Sequence, residues 1–272
     1  SWLPRREKPR LVLLCIHALG FSSKSWDNFG QRMAAAGIPV YALDVRGFGQ
    51  WASQPAHDTM DFESCLTDVE QGLKVLHKAY PNIPVVLVGE SMGGAIAIQA
   101  ASRYPKLVNG LVSAVPSAEH QAGSSTLVVG FKSSSSVNKD TDLTPIVVDG
   151  STANAALRAK IEKEPLNRME LSKKELMQFQ KFMKDTHTAA PLVERTPALM
   201  LIAYKDRLVT PAGSVQLFTE MSTPRKLIIG DGDSEHLMLE EGQMTPQIER
   251  MLKGWLFEQA SKTRVRDGVA DN

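Results

Sequence analysis

The sequence predicts a protein of the α/β class, with a mostly parallel sheet flanked by helices and an inserted helical lid. Short apolar runs alternate with helical patterns along most of the 272 residues, as expected of parallel strands joined by helices. Hydrophobic residues make up 43% of the chain, which is enough for a substantial core. The alternation breaks between Pro116 and Thr196, which indicates an insertion.

Six apolar runs of strand length predict the parallel sheet. A strand covered by helices on both faces is apolar at nearly every position, and these runs fit that description. Pro39 and Pro84 stand just before two of them, where a missing amide donor is tolerated. In chain order the predicted strands are Leu11–Ile16, Val40–Leu43, Val85–Val88, Gly110–Val115, Ala198–Tyr204 and Lys226–Ile229.

Segments with helical spacing of apolar residues separate these strands. Gly37 follows the first of them, at a position where glycine commonly ends a helix. The predicted helices are Trp26–Ala36, Asp61–Ala79, Ser91–Arg103, Gly213–Met221 and Pro246–Ala260.

The interruption divides the chain into a core domain, residues 1–116 and 196–272, and a lid, residues 117–195. The lid begins with an exposed serine-rich loop and continues into two predicted helices, Ala153–Ile161 and Leu171–Lys184. Ligand sites of open α/β sheets lie at the C-terminal ends of the strands, and we expect the insert to cover that edge. The alternative is a helical excursion that packs only on itself.

Composition excludes several classes of function. A net charge of +1 gives no sign of nucleic-acid binding. The two cysteines, Cys15 and Cys65, do not make a disulfide framework, and no apolar run is long enough for a membrane span. The compartment stays open: the chain is cytoplasmic, or it is exported after removal of an N-terminal segment.

Gly89-Glu90-Ser91-Met92-Gly93-Gly94 is the most informative motif. It lies between a predicted strand and a predicted helix, and a serine on such a sharp turn is a nucleophile elbow. The turn strains the serine backbone, and glycines two residues before and after it avoid collisions. Ser91 is thereby predicted to present its hydroxyl at a helix N-terminus, which favours developing negative charge.

A serine hydroxyl needs a base within hydrogen-bond reach, and that base needs an acid to orient it. Asp206 follows one predicted strand and His236 follows the next, so both fall at the edge where Ser91 lies. Their order along the chain, serine then acid then histidine, is that of known triads on this kind of sheet. Alternative acids near the histidine are Asp231, Asp233 and Glu235.

An acyl-transfer transition state also needs donors for its oxyanion, usually two backbone amides. We assign these donors to Met92, which follows the nucleophile, and to Leu19, in the turn after the first strand. His17 in that turn is expected to shape it by hydrogen bonds rather than to transfer protons. The six histidines have no cysteine partners at ligand spacing, so neither a metal nor another cofactor is predicted.

Four segments together resemble the α/β-hydrolase fold. They are His17–Gly20, the glycine-containing loop Asp44–Gly49, the elbow Gly89–Gly94, and the loops that carry Asp206 and His236. Within that fold the chain is most similar to the monoacylglycerol lipase and lysophospholipase-like group, in its Ser-Met-Gly-Gly sequence and in the position of the lid. Two departures are Ala18, where the family usually has glycine, and Glu90, where histidine is common.

This resemblance implies a serine hydrolase that cleaves a small-molecule acyl ester, such as a monoacylglycerol or a lysophospholipid, through Ser91, His236 and Asp206. The lid is expected to line an apolar acyl pocket and to contact a lipid surface transiently, although its apolar residues could instead simply pack it onto the main domain. An aminopeptidase or amidase, an acyltransferase and a non-catalytic ligand-binding protein are the alternatives. The predicted pocket residues are Phe131, Ile146, Phe179 and Met183.

Overall fold

A computed structural model describes residues 1–5, 8–116 and 140–269, with side chains as far as residue 262. Within these residues the strands are β1 (Val12–Ile16), β2 (Val40–Leu43), β3 (Val85–Glu90), β4 (Gly110–Ala114), β5 (Thr141–Asp142), β6 (Glu170–Leu171), β7 (Ala198–Ala203) and β8 (Lys226–Asp231). Six of them form one parallel sheet in the spatial order β2-β1-β3-β4-β7-β8. All six predicted parallel strands are present in this sheet.

Helices cover both faces of the sheet. The described helices are α1 (Asp27–Ala35), α2 (Phe62–Ala79), α3 (Met92–Arg103), α4 (Thr144–Ser151), α5 (Ala155–Lys163), α6 (Lys173–Ala189), α7 (Pro211–Glu220) and α8 (Pro246–Val269). Successive residues of β1 alternate between two apolar clusters, with Leu13 and Cys15 packed on the α1 and α8 side and Leu14 and Ile16 on the α2 and α3 side. The fold class is therefore confirmed as a parallel sheet flanked by helices.

The described part of the insert packs on the α2 and α3 side of the sheet. Apolar side chains of its helices, such as Val147 and Phe179, belong to the same buried cluster as the core domain. Strands β5 and β6 pair antiparallel and bring the start of this segment beside the residues that precede α6. Helix α4 was not expected from the sequence, because its Ile-Val-Val run is typical of a strand. The division into core domain and lid stays a prediction.

Three further details concern the edge of the sheet, the cysteines and the helices. Trp2 makes an isolated antiparallel bridge to Val40, outside the parallel ladder. Cys15 and Cys65 are buried free thiols. No helix among the described residues has both the length and the apolar character needed to cross a membrane.

Candidate active site

Ser91 lies at the sharp turn between β3 and α3. Its backbone has φ 54° and ψ −115°, a strained conformation for a residue other than glycine. The turn brings backbone segments so close that side chains have no room: a Cβ atom on Gly89 would lie 2.0 Å from the Gly93 carbonyl oxygen, and one on Gly93 would lie 2.0 Å from that of Ile16. This geometry is the one expected of a nucleophile elbow.

The structure brings His236 and Asp206 to Ser91. His236 Nε2 lies 2.9 Å from Ser91 Oγ, and His236 Nδ1 lies 2.8 Å from Asp206 Oδ2. The three groups thus form one continuous hydrogen-bonded chain, although Ser91 and His236 are 145 residues apart in sequence. These residues lie at the C-terminal edge of the sheet, where their positions just after three predicted strands had placed them.

Backbone groups hold the acid in place. Asp206 Oδ1 accepts hydrogen bonds from the amides of Leu208 and Val209, at 2.7 and 2.9 Å. This leaves Oδ2 facing the imidazole. The loop after β7 is tied to the loop after β8 by a further bond, from the Lys205 amide to the Ser234 carbonyl oxygen, at 3.1 Å. This bond links the loop of the acid to the loop of the base.

The alternative acids face other partners. Asp231 accepts hydrogen bonds from the hydroxyls of Ser234 and Thr245, both at 2.7 Å. Asp233 pairs with Lys205 at the surface. Glu235 faces the insert, where it accepts from the Thr152 hydroxyl and the Ala153 amide. Of these acids, Asp206 is the one that the geometry orients toward His236.

Burial and charge act on His236 in opposite directions. Burial of the ring lowers its pKa, but the charge and hydrogen bond of Asp206 and the charge of Glu90 outweigh this and raise the pKa above 6.5. Ser91, Asp206 and His236 are all buried. A base whose pKa is raised within a shielded site is suited to take a proton from a hydroxyl and to return it to a leaving group.

The two residues predicted to supply the oxyanion donors lie next to Ser91: Met92 follows it in sequence, and Leu19 lines the same cavity. Among described residues, neither the Leu19 nor the Met92 amide donates to a protein acceptor. The turn that holds Leu19 is shaped by His17, whose Nδ1 lies 2.8 Å from the Ala18 carbonyl oxygen and whose Nε2 accepts from the Val45 amide. Burial lowers the pKa of His17, so it stays neutral and structural in this turn.

A cavity opens beside Ser91 and His236. Most of its lining side chains are apolar, and they come from the oxyanion turn, the insert and the loop after β7: Ala18, Leu19, Phe21, Val147, Phe179, Leu208 and Val209, with the hydroxyl of Ser151. Phe179 therefore lies where the sequence analysis expected a pocket residue. Ile146 and Met183 pack in the apolar cluster and are not among the described lining residues. Phe131 lies outside the described residues.

Three carboxyl groups around this site have contacts that the sequence did not predict, although Glu235 was one of the alternative acids. Glu90 and Glu240 are completely buried, and Glu235 anchors the insert beside the catalytic loop. The sequence singled out Glu90 only as a departure from the family pattern, and nothing in it distinguishes Glu240 from its neighbour Glu241. Within the described residues, no group of three or more histidine, cysteine or carboxylate side chains could hold a metal ion.

Comparison with known proteins gives a family match over most of the chain. The model of the family described as serine aminopeptidase, S33, matches residues 7–243. A monoglyceride lipase homolog of monkeypox virus is 22% identical over 251 residues, which cover 92% of this chain and 90% of that protein. A monoacylglycerol lipase of Mycolicibacterium smegmatis is 30% identical over 128 residues, which cover 47% of this chain and 45% of that enzyme.

Solved structures show the same fold. A soluble variant of monoglyceride lipase from Saccharomyces cerevisiae, in complex with a substrate analogue, superposes with a TM-score of 0.81 at 18% identity. That superposition covers 96% of this chain and 90% of the other. The monoacylglycerol lipase of Paleococcus ferrophilus superposes with a TM-score of 0.75 at 20% identity and covers 96% of both chains.

Proposed function

Because this chain belongs to the serine aminopeptidase S33 family of α/β hydrolases, in its monoacylglycerol lipase-like group, and is a carboxylic ester hydrolase, we propose that it cleaves acyl esters with a Ser91-His236-Asp206 triad. The observation that carries the proposal is the continuous hydrogen-bonded chain from Asp206 through His236 to Ser91 Oγ, beside an apolar cavity.

The proposed reaction has two stages, acylation of Ser91 and hydrolysis of the acyl-enzyme. His236 Nε2 takes the hydroxyl proton as Ser91 Oγ attacks the ester carbonyl carbon, and Asp206 stabilises the imidazolium through Nδ1–H. The amides of Leu19 and Met92 donate to the developing oxyanion. His236 then protonates the leaving alcohol, and a water molecule, activated by the same imidazole, releases the acid from the acyl-enzyme.

The cavity supports an acyl chain as the group that Ser91 accepts. Its lining includes five large apolar side chains: Phe21, Val147, Phe179, Leu208 and Val209. A hydrocarbon chain bound against them would be removed from water, which would stabilise the complex. We propose monoacylglycerols, lysophospholipids or similar acyl esters as substrates. Transient contact of the insert with a lipid surface would deliver such substrates to the site.

The peptidase alternative would need carboxylates to bind a substrate amine. The insert carries three glutamates, Glu162, Glu164 and Glu170, whose carboxylates could take that role. Glu162 and Glu170 are exposed, and Glu164 pairs with Lys24 at 2.8 Å. None of them is among the described residues that line the cavity, which favours an ester over an amino-terminal peptide.

Labelling with a fluorophosphonate probe tests the nucleophile. Wild-type protein should be labelled and Ser91→Ala should not. The matched control is Ser102→Ala on the same helix, whose hydroxyl donates to the Gln99 carbonyl oxygen, and it should be labelled like the wild type. Labelling of Ser91→Ala would show that the nucleophile is a residue other than Ser91.

Turnover measured on p-nitrophenyl esters of increasing chain length tests the substrate class, with aminoacyl amides as the peptidase comparison. We expect kcat/KM to rise from acetate to longer chains, since each buried methylene contributes about 0.8 kcal/mol. Preference for acetate would contradict the acyl-pocket assignment, and preference for the amides would favour the peptidase alternative.

A further inference from the structure

Two buried carboxyl groups lie behind the candidate site without touching its cavity. Glu90 directly precedes Ser91 in sequence, and Glu240 lies four residues after His236. Both residues are 0% exposed. Neither takes part in an ion pair among the described residues. Buried carboxyl groups without a cation are costly unless hydrogen bonds or protonation compensate, so their partners decide their charge.

Glu90 binds the backbone of the loop that carries His236. Its Oε1 accepts from the amides of Met238 and Leu239, at 2.6 and 2.9 Å, and its Oε2 accepts from the amide of Glu240 at 2.9 Å. Three successive amides directed at one carboxyl group stabilise its ionised form. They also fix the chain immediately after the proposed base.

Glu240 binds the turn that carries the proposed oxyanion donor. Its Oε1 accepts from the Ala18 amide at 2.8 Å, next to Leu19, and its Oε2 contacts Ser25 Oγ. The Ser25 hydroxyl also lies 2.7 Å from the Ser22 carbonyl oxygen. A hydroxyl supplies one proton and a carbonyl oxygen supplies none. When the Ser25 proton goes to the Ser22 carbonyl oxygen, the contact with Glu240 Oε2 is satisfied by a proton carried on Glu240.

The charges around the pair agree with this assignment. Burial and the neighbouring Glu90 charge raise the pKa of Glu240 well above its usual range. Burial also raises the pKa of Glu90, but the three amides and His236 limit the rise to about 7. Besides each other, the titratable groups that face the pair are His236 on the Glu90 side and Glu241 and Cys15 on the Glu240 side.

We propose, on the basis of the proposed function, that Glu90 and Glu240 are a positioning pair that carries one negative charge. Ionised Glu90 holds the loop of His236, and protonated Glu240 holds the turn of Leu19. Because Glu90 also binds the Glu240 amide, the pair links the proposed base to the proposed oxyanion hole. Neither residue is among the described residues that line the cavity, so both act through the residues they hold.

Neutral substitutions separate the two roles. Glu90→Gln places an NH₂ group against an amide donor and removes the charge that faces His236. We expect kcat to fall about tenfold to a hundredfold with little change in KM. The acid limb of the kcat profile should also move to lower pH, because the pKa of His236 loses one contribution that raises it.

Glu240→Gln preserves the donor and acceptor pattern of a protonated carboxyl group, so kcat should stay within about threefold of wild type. Glu240→Ala removes both contacts and should lower kcat as far as Glu90→Gln does. The matched control is Glu63→Gln, which removes a surface partner of Arg103 and should leave the pH profile unchanged. A large loss in Glu240→Gln, or none in Glu90→Gln, would overturn the proposal.

An infrared difference spectrum of wild type against Glu240→Gln reads the proton without any assay of activity. A carboxylic acid carbonyl band at neutral pH, lost in Glu240→Gln, is expected, and its absence from the wild type would overturn the proposal even if Glu90→Gln failed to fold. Fluorophosphonate labelling of the wild type is measured on the same preparation. Loss of that labelling with the band present would count against the proposed function and not against the protonated carboxyl group.

Discussion

At the C-terminal edge of the sheet, Ser91, Asp206 and His236 are held largely by backbone geometry, whereas the insert of residues 140–195 is attached largely by side chains. The edge relies on a strained turn and on amides that hold Asp206 and Glu90. The insert relies on side-chain ion pairs and hydrogen bonds to the core, such as Lys24–Glu164, Glu175 with the Met60 amide, and Glu235 with the Thr152 hydroxyl.

This difference predicts that the catalytic edge sets the rate of the reaction and that the insert sets the choice of substrate. The strained turn at Ser91 carries no titrating contact and does not depend on salt, so the position of the nucleophile should be insensitive to conditions. Glu90, whose pKa burial raises to about 7, is the titratable part of this edge. Side-chain ion pairs respond to pH and ionic strength, and so should the attachment of the insert that supplies Phe179 to the cavity. Substitutions on each side of this comparison should therefore fail in different ways.

Asp206→Asn should have the largest effect on rate. Because two amides hold Oδ1, the new NH₂ group would face His236 Nδ1 and force the tautomer that carries its proton toward Ser91. We expect kcat to fall by about 10³ to 10⁴ with thermal stability retained. Asp233→Asn, at the exposed pair with Lys205, is the control. A comparable loss in that control, with Asp206→Asn active, would reassign the acid.

Gly93→Ala tests the backbone side of the comparison. Its Cβ would lie 2.0 Å from the Ile16 carbonyl oxygen, so unfolding free energy should fall by about 3 kcal/mol or more. Gly254→Ala in α8 meets no atom within 4 Å and should instead add about 0.5–1 kcal/mol, measured by urea denaturation. Equal effects of the two changes would show that the turn is not tightly packed.

Glu175→Gln tests the attachment of the insert. Burial alone would raise the pKa of Glu175, but Arg168, the Met60 amide and Ser172 lower it from 4.5 to about 2. Because the folded-state pKa is depressed, the stabilisation is complete above pH 4.5 and is lost as the pH falls toward 2. We expect Glu175→Gln to cost about 2–3 kcal/mol at pH 7.

The cost of Glu175→Gln relative to wild type should shrink over that same acid range, as followed by denaturant unfolding at several pH values. Glu170→Gln, an exposed carboxylate of the same insert, is the control and should change little. A cost that does not vary with pH would mean that the Glu175 charge contributes nothing.

Glu235→Gln should have the smallest effect. It weakens the contacts to the Thr152 hydroxyl and the Ala153 amide but leaves the adjacent His236 bonded to Asp206. We expect the binding free energy of long-chain esters to weaken by at most about 1 kcal/mol, which would raise their KM. The kcat on short esters should be retained. A fall in kcat on short esters would show that the insert and the catalytic edge are not separable.

The elements that the sequence predicted well are those governed by local rules. Buried parallel strands are apolar throughout, and a serine elbow needs glycine on both sides, so β3, α3 and the turn at Ser91 could be identified from short segments. Helix α4 was missed because its β-branched residues favour a strand when they are considered alone. Its position against the core, with Val147 and Val148 buried, stabilises the helix instead.

By itself, the sequence determined the fold class, and it predicted the edge at which Ser91, Asp206 and His236 lie, because apolar runs, the turn after each strand and backbone sterics act over short stretches of chain. Tertiary structure alone decided that, among the described residues, Phe179 lines the cavity while Ile146 and Met183 do not, and that Glu235 faces the insert. It also decided that Glu240 is buried against Ala18, 222 residues away. Burial and the partners brought by distant segments set the charge of a carboxyl group, and no local pattern carries that information.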